Sequence, residues 1–169
     1  MKAAARLFAF ATLALVLVPA AHAAHDWTAV TSTGAIDSTS LGIYFFNGAV
    51  LTFPPGSGSL GTIVARYNVT NTFDNNANPD MPGWTTLEFG YSNPGAFGAV
   101  NATLFQVDPC NGAQVTLCTV NALAGATNTC STCTFTAAMD FSRHLYYVLV
   151  RITRPASTVT ASANSLRIF

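Results

Sequence analysis

Residues 144–154 read HLYYVLVRITR, and their alternation decides how the rest of the chain is read. Tyr146, Val148, Val150 and Ile152 recur at every second position, the repeat of an extended strand whose successive side chains point to opposite faces. The other row, Leu145, Tyr147 and Leu149, is apolar as well. A strand apolar on both faces is expected to lie centrally in its sheet.

The same period of two runs outward from this segment. In TIVARYNVTN (62–71), Ile63, Ala65, Tyr67 and Val69 share one face, opposite Arg66, Asn68 and Thr70. In WTTLEFGY (84–91), Leu87, Phe89 and Tyr91 alternate with Thr86, Glu88 and Gly90. Further strands are expected at 42–53, as two short pieces, and at 98–108, 113–121, 133–141 and 159–169, with turn-forming stretches such as PPGSGS (54–59) between them. About eight strands on short loops predict an all-β fold, an antiparallel β-sandwich of jelly-roll type. The alternative is a small outer-membrane β-barrel, which the C-terminal Phe169 mildly invites. Against it, Arg167 and Ser165 occupy the row that would face lipid.

The N-terminus, MKAAARLFAFATLALVLVPAAHA, has the parts of a secretory signal peptide: Lys2 and Arg6, a 12-residue apolar run over 7–18, and the small-residue site Ala21-His22-Ala23. Its apolar run is shorter than the roughly 20 residues a spanning helix needs. The expected organisation is a signal peptide at 1–23 and one β-sandwich domain at 24–169, secreted, periplasmic or at the cell surface, with no transmembrane helix. Without the leader, 146 of the 169 residues remain, enough for a core of their own. They carry five Arg, no Lys and seven acids, a net charge of −2, and no basic cluster. Nucleic acid and anionic membrane surfaces are therefore poor partners. A neutral exterior rich in Thr, Ser, Asn, Ala and Gly suits carbohydrate or other copies of the chain.

All four cysteines, Cys110, Cys118, Cys130 and Cys133, follow the leader, and an even number in an oxidising compartment predicts two disulfides. The stretch VDPCNGAQV (107–115) holds Asn111-Gly112, a hairpin signal. A tight turn there separates Cys110 from Cys118 by roughly 17 Å along the ladder, at about 3.3 Å per residue, too far for a bridge. Cys130 and Cys133, in CSTC, would point to opposite faces of a strand. Both are therefore expected to pair outward to Cys110 and Cys118, after the loop NALAGATNT (121–129) folds the two stretches together; sequential pairing is the alternative. A redox or zinc role fits poorly, since the stretch is Thr-rich and strand-like and the spacing of eight from Cys110 to Cys118 suits no metal motif.

In DNNANPD (74–80), Asp74, Asn76, Asn78 and Asp80 stand at the offsets by which a calcium loop presents oxygen ligands. Pro79 replaces the turn glycine of that motif and Thr85 its bidentate glutamate, so any calcium is expected to be structural. Trp84, Tyr91 and Phe97 are aromatics near loops or strand ends, where exposed rings stack on sugars, although core packing competes for them. No catalytic constellation stands out: DFSRH (140–144) reads as a polar turn, and Glu88 lies on an outward row. The expected role is non-catalytic binding or surface assembly, with a calcium-stabilised carbohydrate-binding module as the alternative.

Overall fold

The alternating runs become strands. In the computed structural model, which describes residues 25–71, 80–93, 99–156, 158 and 160–169, eleven strands follow one another. They are β1 (Trp27–Val30), β2 (Ala35–Ile36), β3 (Phe45–Asn47), β4 (Val50–Thr52), β5 (Gly61–Val69), β6 (Thr86–Asn93), β7 (Ala99–Val107), β8 (Gln114–Asn121), β9 (Ala126–Thr134), β10 (Leu145–Arg154) and β11 (Ser162–Ile168). One sheet has the order β2-β5-β10-β7-β8; the other runs β3-β4-β11-β6-β9, with β1 also on β11. As its two apolar rows predict, β10 is central, antiparallel to both β5 and β7.

The connectivity has a simple logic. β7 pairs with β8, β6 with β9, β5 with β10 and β4 with β11, all antiparallel. This nesting is one long hairpin wrapped around itself into two sheets, which is the eight-stranded jelly roll; β1, β2 and β3 are short additions. Its tip lies at the expected place but is longer than a two-residue turn. The Asp108 N–H donates to Ala113 O at 2.9 Å, and Gly112, at φ 72°, takes the left-handed position that glycine tolerates. A register shift then sets Cys118 opposite Leu104, where a tight Asn111-Gly112 turn would have set it opposite Phe105.

Ile63, Ala65, Tyr67, Leu87, Phe89, Tyr91, Val148, Val150, Ile152, Leu166 and Ile168 all point between the sheets and are at most 3% exposed. Thr, Ser, Asn, Arg and Glu dominate the outward rows of the six-stranded sheet and the edges of the other. Apolar residues inside, polar residues outside and two sheets that do not close are the inverse of a lipid-embedded barrel, and the barrel alternative falls. Among the described residues no helix is long and apolar enough to cross a membrane.

One strand is displaced from its expected place. The strand expected at 133–141 runs instead over Ala126–Thr134, and the following loop drops Phe135 and Met139 into the core. Apolar residues there plug the end of the sandwich, while β9, at a sheet edge, needs no apolar row of its own.

The N-terminal segment straps the sheets together. After β1, Thr31 is fully buried: its Oγ1 donates to Ala163 O of β11 and accepts from Leu51 N–H of β4 at 3.1 Å. Its carbonyl accepts from the Tyr67 hydroxyl of β5, in the other sheet, at 2.6 Å. Burial pushes the Tyr67 hydroxyl pKa up, so it stays a donor. Further on, Asp37 caps the turn Ser38–Ser40 and meets Arg66 at 2.6 Å, and this guanidinium holds its carboxyl down to about 2.

Candidate functional site

The cysteines form one bridge, Cys118–Cys133, with Cα atoms 5.9 Å apart. It joins β8 and β9, the edge strands of the two different sheets, as the folding together of these stretches predicts. The second expected bridge is corrected: Cys110 and Cys130 are free and exposed. Cys133 lies opposite the inward-facing Leu87, whereas Cys130 lies opposite Gly90 on the outward row, and Cys110 sits in the β7–β8 tip. An outward side chain cannot reach across the core.

Two of the expected ligand-binding rings are also corrected. Trp84 is 2% exposed and Tyr91 is fully buried; both belong to the core, Tyr91 on the row of β6 that faces the other sheet and Trp84, just before that strand, against Phe141. The Tyr91 hydroxyl contacts Ser131 Oγ at 2.9 Å and accepts from the Leu123 N–H at 3.0 Å. Phe97 and the proposed calcium donors Asp74, Asn76 and Asn78 lie outside the described residues. Asp80 is exposed, and its carbonyl accepts from Phe141 N–H at 2.9 Å. Among the described residues no three His, Cys, Asp or Glu side chains gather as a metal site.

A different pair of rings faces solvent. On the outward face of the five-stranded sheet, Phe105 of β7 and Tyr147 of β10 are cross-strand neighbours, stacked with centroids 5.0 Å apart and planes 17° apart. Both are half-buried. The Tyr147 hydroxyl donates to Gln114 Oε1 at 2.7 Å. Register places Asn68 beside Tyr147 and Thr116 beside Phe105, both exposed. Leu145, 60% exposed, and Leu149, 5% exposed, flank Tyr147 along the same row. Polar side chains are the default on the solvent face of an antiparallel sheet, so Phe105, Tyr147 and the exposed Leu145, rimmed by amides and hydroxyls, make this stripe the candidate contact surface. Its signal was the second apolar row of residues 144–154; its partner Phe105 needed the register between β10 and β7.

At one end of this stripe the turn over residues 140–144 leads into β10, as read from DFSRH. Ser142 donates to Asp140 Oδ1 from its N–H at 3.0 Å and also from its hydroxyl, which together with Arg143 and His144 holds the Asp140 carboxyl below its usual range. Ring contacts run outward from the core, Trp84 to Phe141 at 6.0 Å, Phe141 to Tyr146 at 4.9 Å and Tyr146 to His144 at 6.4 Å. Burial pushes the Tyr146 hydroxyl pKa up, and that hydroxyl accepts from Asp140 N–H at 2.8 Å.

A broader groove of about 510 Å³ lies on the other sheet, among Thr28, Val30, Glu88, Ser165 and Arg167. Its cation is already engaged: Arg167 is paired with Asp26 and stacked 4.6 Å over Phe169. With its cation engaged and no ring in its lining, this groove is the weaker site despite its size.

Fold and site together define a jelly-roll sandwich with an aromatic stripe on one outer face. No family model and no curated protein sequence matches the chain. Among solved structures it is similar to the carbohydrate-binding module CBM36 in complex with calcium and xylotriose, at 12% identity and TM-score 0.44, over 85% of this chain and 99% of that one. It is also similar to the CBM36-1 domain of a multidomain xylanase from the hindgut metagenome of Trinervitermes trinervoides, at 11% identity and TM-score 0.45, over 86% and 97%. A third is PfGH50B, at 16% identity and TM-score 0.47, over 86% of this chain and 23% of that one. Likeness this distant says nothing about a ligand, and the reading of the site rests on the residues of this chain.

Proposed function

We propose that the chain is an exported, non-catalytic binding module that takes a neutral glycan on the outward face of its five-stranded sheet. The Phe105–Tyr147 pair carries this reading. A sugar ring has apolar C–H faces and a hydroxyl rim; aromatic and leucine side chains suit the first, and Asn68, Gln114 and Thr116 the second. The scarcity of charge in the chain favours an uncharged polymer. Export is supported by the leader-like residues 1–23 and by the Cys118–Cys133 bridge, of a kind that persists in oxidising compartments.

Tyr147→Ala is expected to weaken retention on insoluble polysaccharide by about 10-fold, the equivalent of about 1.4 kcal/mol for a lost ring contact, with little change in melting temperature. Retention of the wild-type protein on no polysaccharide would remove the reading. A dimer seen by light scattering and split by the same substitution would assign the stripe to a second copy of the chain instead.

A structural calcium is a second reading, favoured by the donor spacing of Asp74, Asn76, Asn78 and Asp80. Chelation is expected to lower the melting temperature by several degrees and added calcium to restore it, since a ligand bound only by the folded state stabilises that state. Identical melting curves with chelator and with calcium would exclude it.

A further inference from the structure

Across the outward face of the five-stranded sheet, register lines up Thr116 of β8, Phe105 of β7, Tyr147 of β10 and Asn68 of β5 in one row that crosses the strands. The row ends at a gap. β2, the next strand, pairs only with Ala65 and Arg66, so among the described residues no strand lies beside Asn68 on its far side. In that place lies a recess of about 340 Å³ whose lining includes Trp27, Thr33, Ala35, Arg66, Tyr67 and Asn68. Thr33, Ala35, Arg66 and Asn68 are exposed, so the recess is open to solvent, while the nearly buried Trp27 and Tyr67 line it from the core. Asn68 belongs to both, and row and recess form one continuous surface.

The open edge of β5 supplies main-chain groups. The Asp37 N–H donates to Val64 O at 2.9 Å, which places the main-chain groups of Val64 on the β2 side. Such groups alternate from side to side along an antiparallel strand, and β5 runs against β10 without a register shift, so Arg66 and Asn68 turn theirs the same way. Ala35 of β2 stands opposite Arg66; the N–H and C=O of Asn68 face the recess. On a strand edge these are a ready donor and acceptor. Arg66 adds donors, because one nitrogen serves Asp37 at 2.6 Å and a guanidinium carries five N–H groups in all. The Thr33 hydroxyl donates to Val30 O at 2.8 Å and so offers its oxygen as an acceptor.

A sugar unit displays hydroxyls that each donate and accept, which matches an N–H and a C=O set side by side. The volume is at the lower end of ligand pockets, roughly 300–1,000 Å³, and suits one such unit. A peptide strand would find little length here, since β5 ends at Val69 and β2 already stands opposite Arg66.

We infer that this recess is an edge subsite: a glycan lies across the strands over Phe105, Tyr147 and Asn68 and sets one sugar unit beyond the edge of β5, its hydroxyls on the main-chain N–H and C=O of Asn68 and on Arg66. The inference rests on the proposed glycan-binding role and adds to it the direction of the glycan, across β10 and not along it.

The test uses the full chain. Exchange of the backbone amides is followed by ¹H–¹⁵N spectra with and without linear hexasaccharides of glucose, galactose, mannose or xylose, and hexasaccharide affinity is measured for wild type, Ala35→Phe and Tyr147→Ala. The expected result, with at least one hexasaccharide, is slower exchange of the Asn68 amide and an affinity about 3- to 10-fold lower in Ala35→Phe, whose ring takes up space in the recess. Ala35 is exposed, so the melting temperature should hold; if that variant fails to fold, the wild-type exchange data decide the matter. Unchanged exchange at Asn68 while a hexasaccharide binds, or an Ala35→Phe affinity equal to wild type, would overturn the subsite. A loss confined to Tyr147→Ala leaves the stripe standing without the recess. A loss confined to Ala35→Phe, with Asn68 protected, keeps the recess and removes the stripe. No response to any hexasaccharide removes both.

Discussion

Replacing Cys118 and Cys133 together by alanine is expected to lower the unfolding free energy by about 3 kcal/mol, the chain-entropy value for a closed loop of the 15-residue separation seen here. For a chain of this size that corresponds to roughly 6–12 °C in melting temperature. The bridge matters because of where it sits. β8 and β9 follow each other in sequence but belong to different sheets, so no backbone ladder joins them and the disulfide is their covalent tie across the core. Calorimetry with and without reductant separates this effect from simple cavity formation: reductant should bring the wild-type melting temperature down to that of the variant and leave the variant unmoved. Cys110→Ser and Cys130→Ser, at exposed positions, should change little. Equal melting temperatures for the double variant and the wild type would show that the bridge does not hold the edges together.

The second large effect is expected at Gly34. A Cβ built there would lie 2.4–2.7 Å from ring atoms and the hydroxyl of Tyr67, inside any van der Waals contact. The ring cannot step aside at low cost, because its hydroxyl is bound to the carbonyl of Thr31, a fully buried residue. Gly34→Ala must therefore either overpack the site, at about 1–3 kcal/mol, or also free the Thr31 carbonyl, at a further 1–3 kcal/mol. A loss of about 4 kcal/mol is expected, a large part of the 5–15 kcal/mol by which such domains are stable. Tyr67→Phe keeps the ring and removes only the hydroxyl, and should lose about 1–2 kcal/mol. Because the two residues touch, the losses in the double variant should fall short of their sum. Strict additivity in denaturant unfolding would mean that Gly34 acts on something other than Tyr67.

Much of the fold is legible in the sequence, and the reason is visible in particular rows. Where a strand buries one face, as in Ile63-Ala65-Tyr67-Val69 or Leu87-Phe89-Tyr91, the hydrophobic effect writes its period of two into the residues. Where burial does not decide, the pattern misleads. β9 is an edge strand of Thr, Ser, Asn and Cys with no apolar row, and the apolar Phe135 and Met139 just beyond it belong to a loop. The jelly-roll class followed from strand number and turn spacing; the nested pairing that makes it one did not, because pairing partners are set by tertiary packing.

The site was less legible for the same reason. A tryptophan or tyrosine reads alike whether it plugs a core or faces a ligand, and Trp84 and Tyr91 proved to be core while Phe105 and Tyr147 face out. The cysteines follow suit: spacing argued against Cys110 with Cys118 and Cys130 with Cys133 and left that pairing as the alternative, and which member of CSTC faces inward depends on the register of β9 against β6.

By itself, then, the sequence determined an all-β chain with β10 at a sheet centre and a hairpin tip near Asn111-Gly112, and it favoured a cysteine bridge reaching out of CSTC. These follow from forces local to a strand or a turn: alternation of burial, glycine's backbone freedom, and the short reach of a disulfide. Tertiary structure alone decided which strands pair, that only Cys133 of CSTC reaches Cys118, and that Phe105 meets Tyr147 on an open face beside His144. Each of those juxtapositions joins residues distant in the chain, and their distance is set by two sheets closing on one core, which no local pattern records.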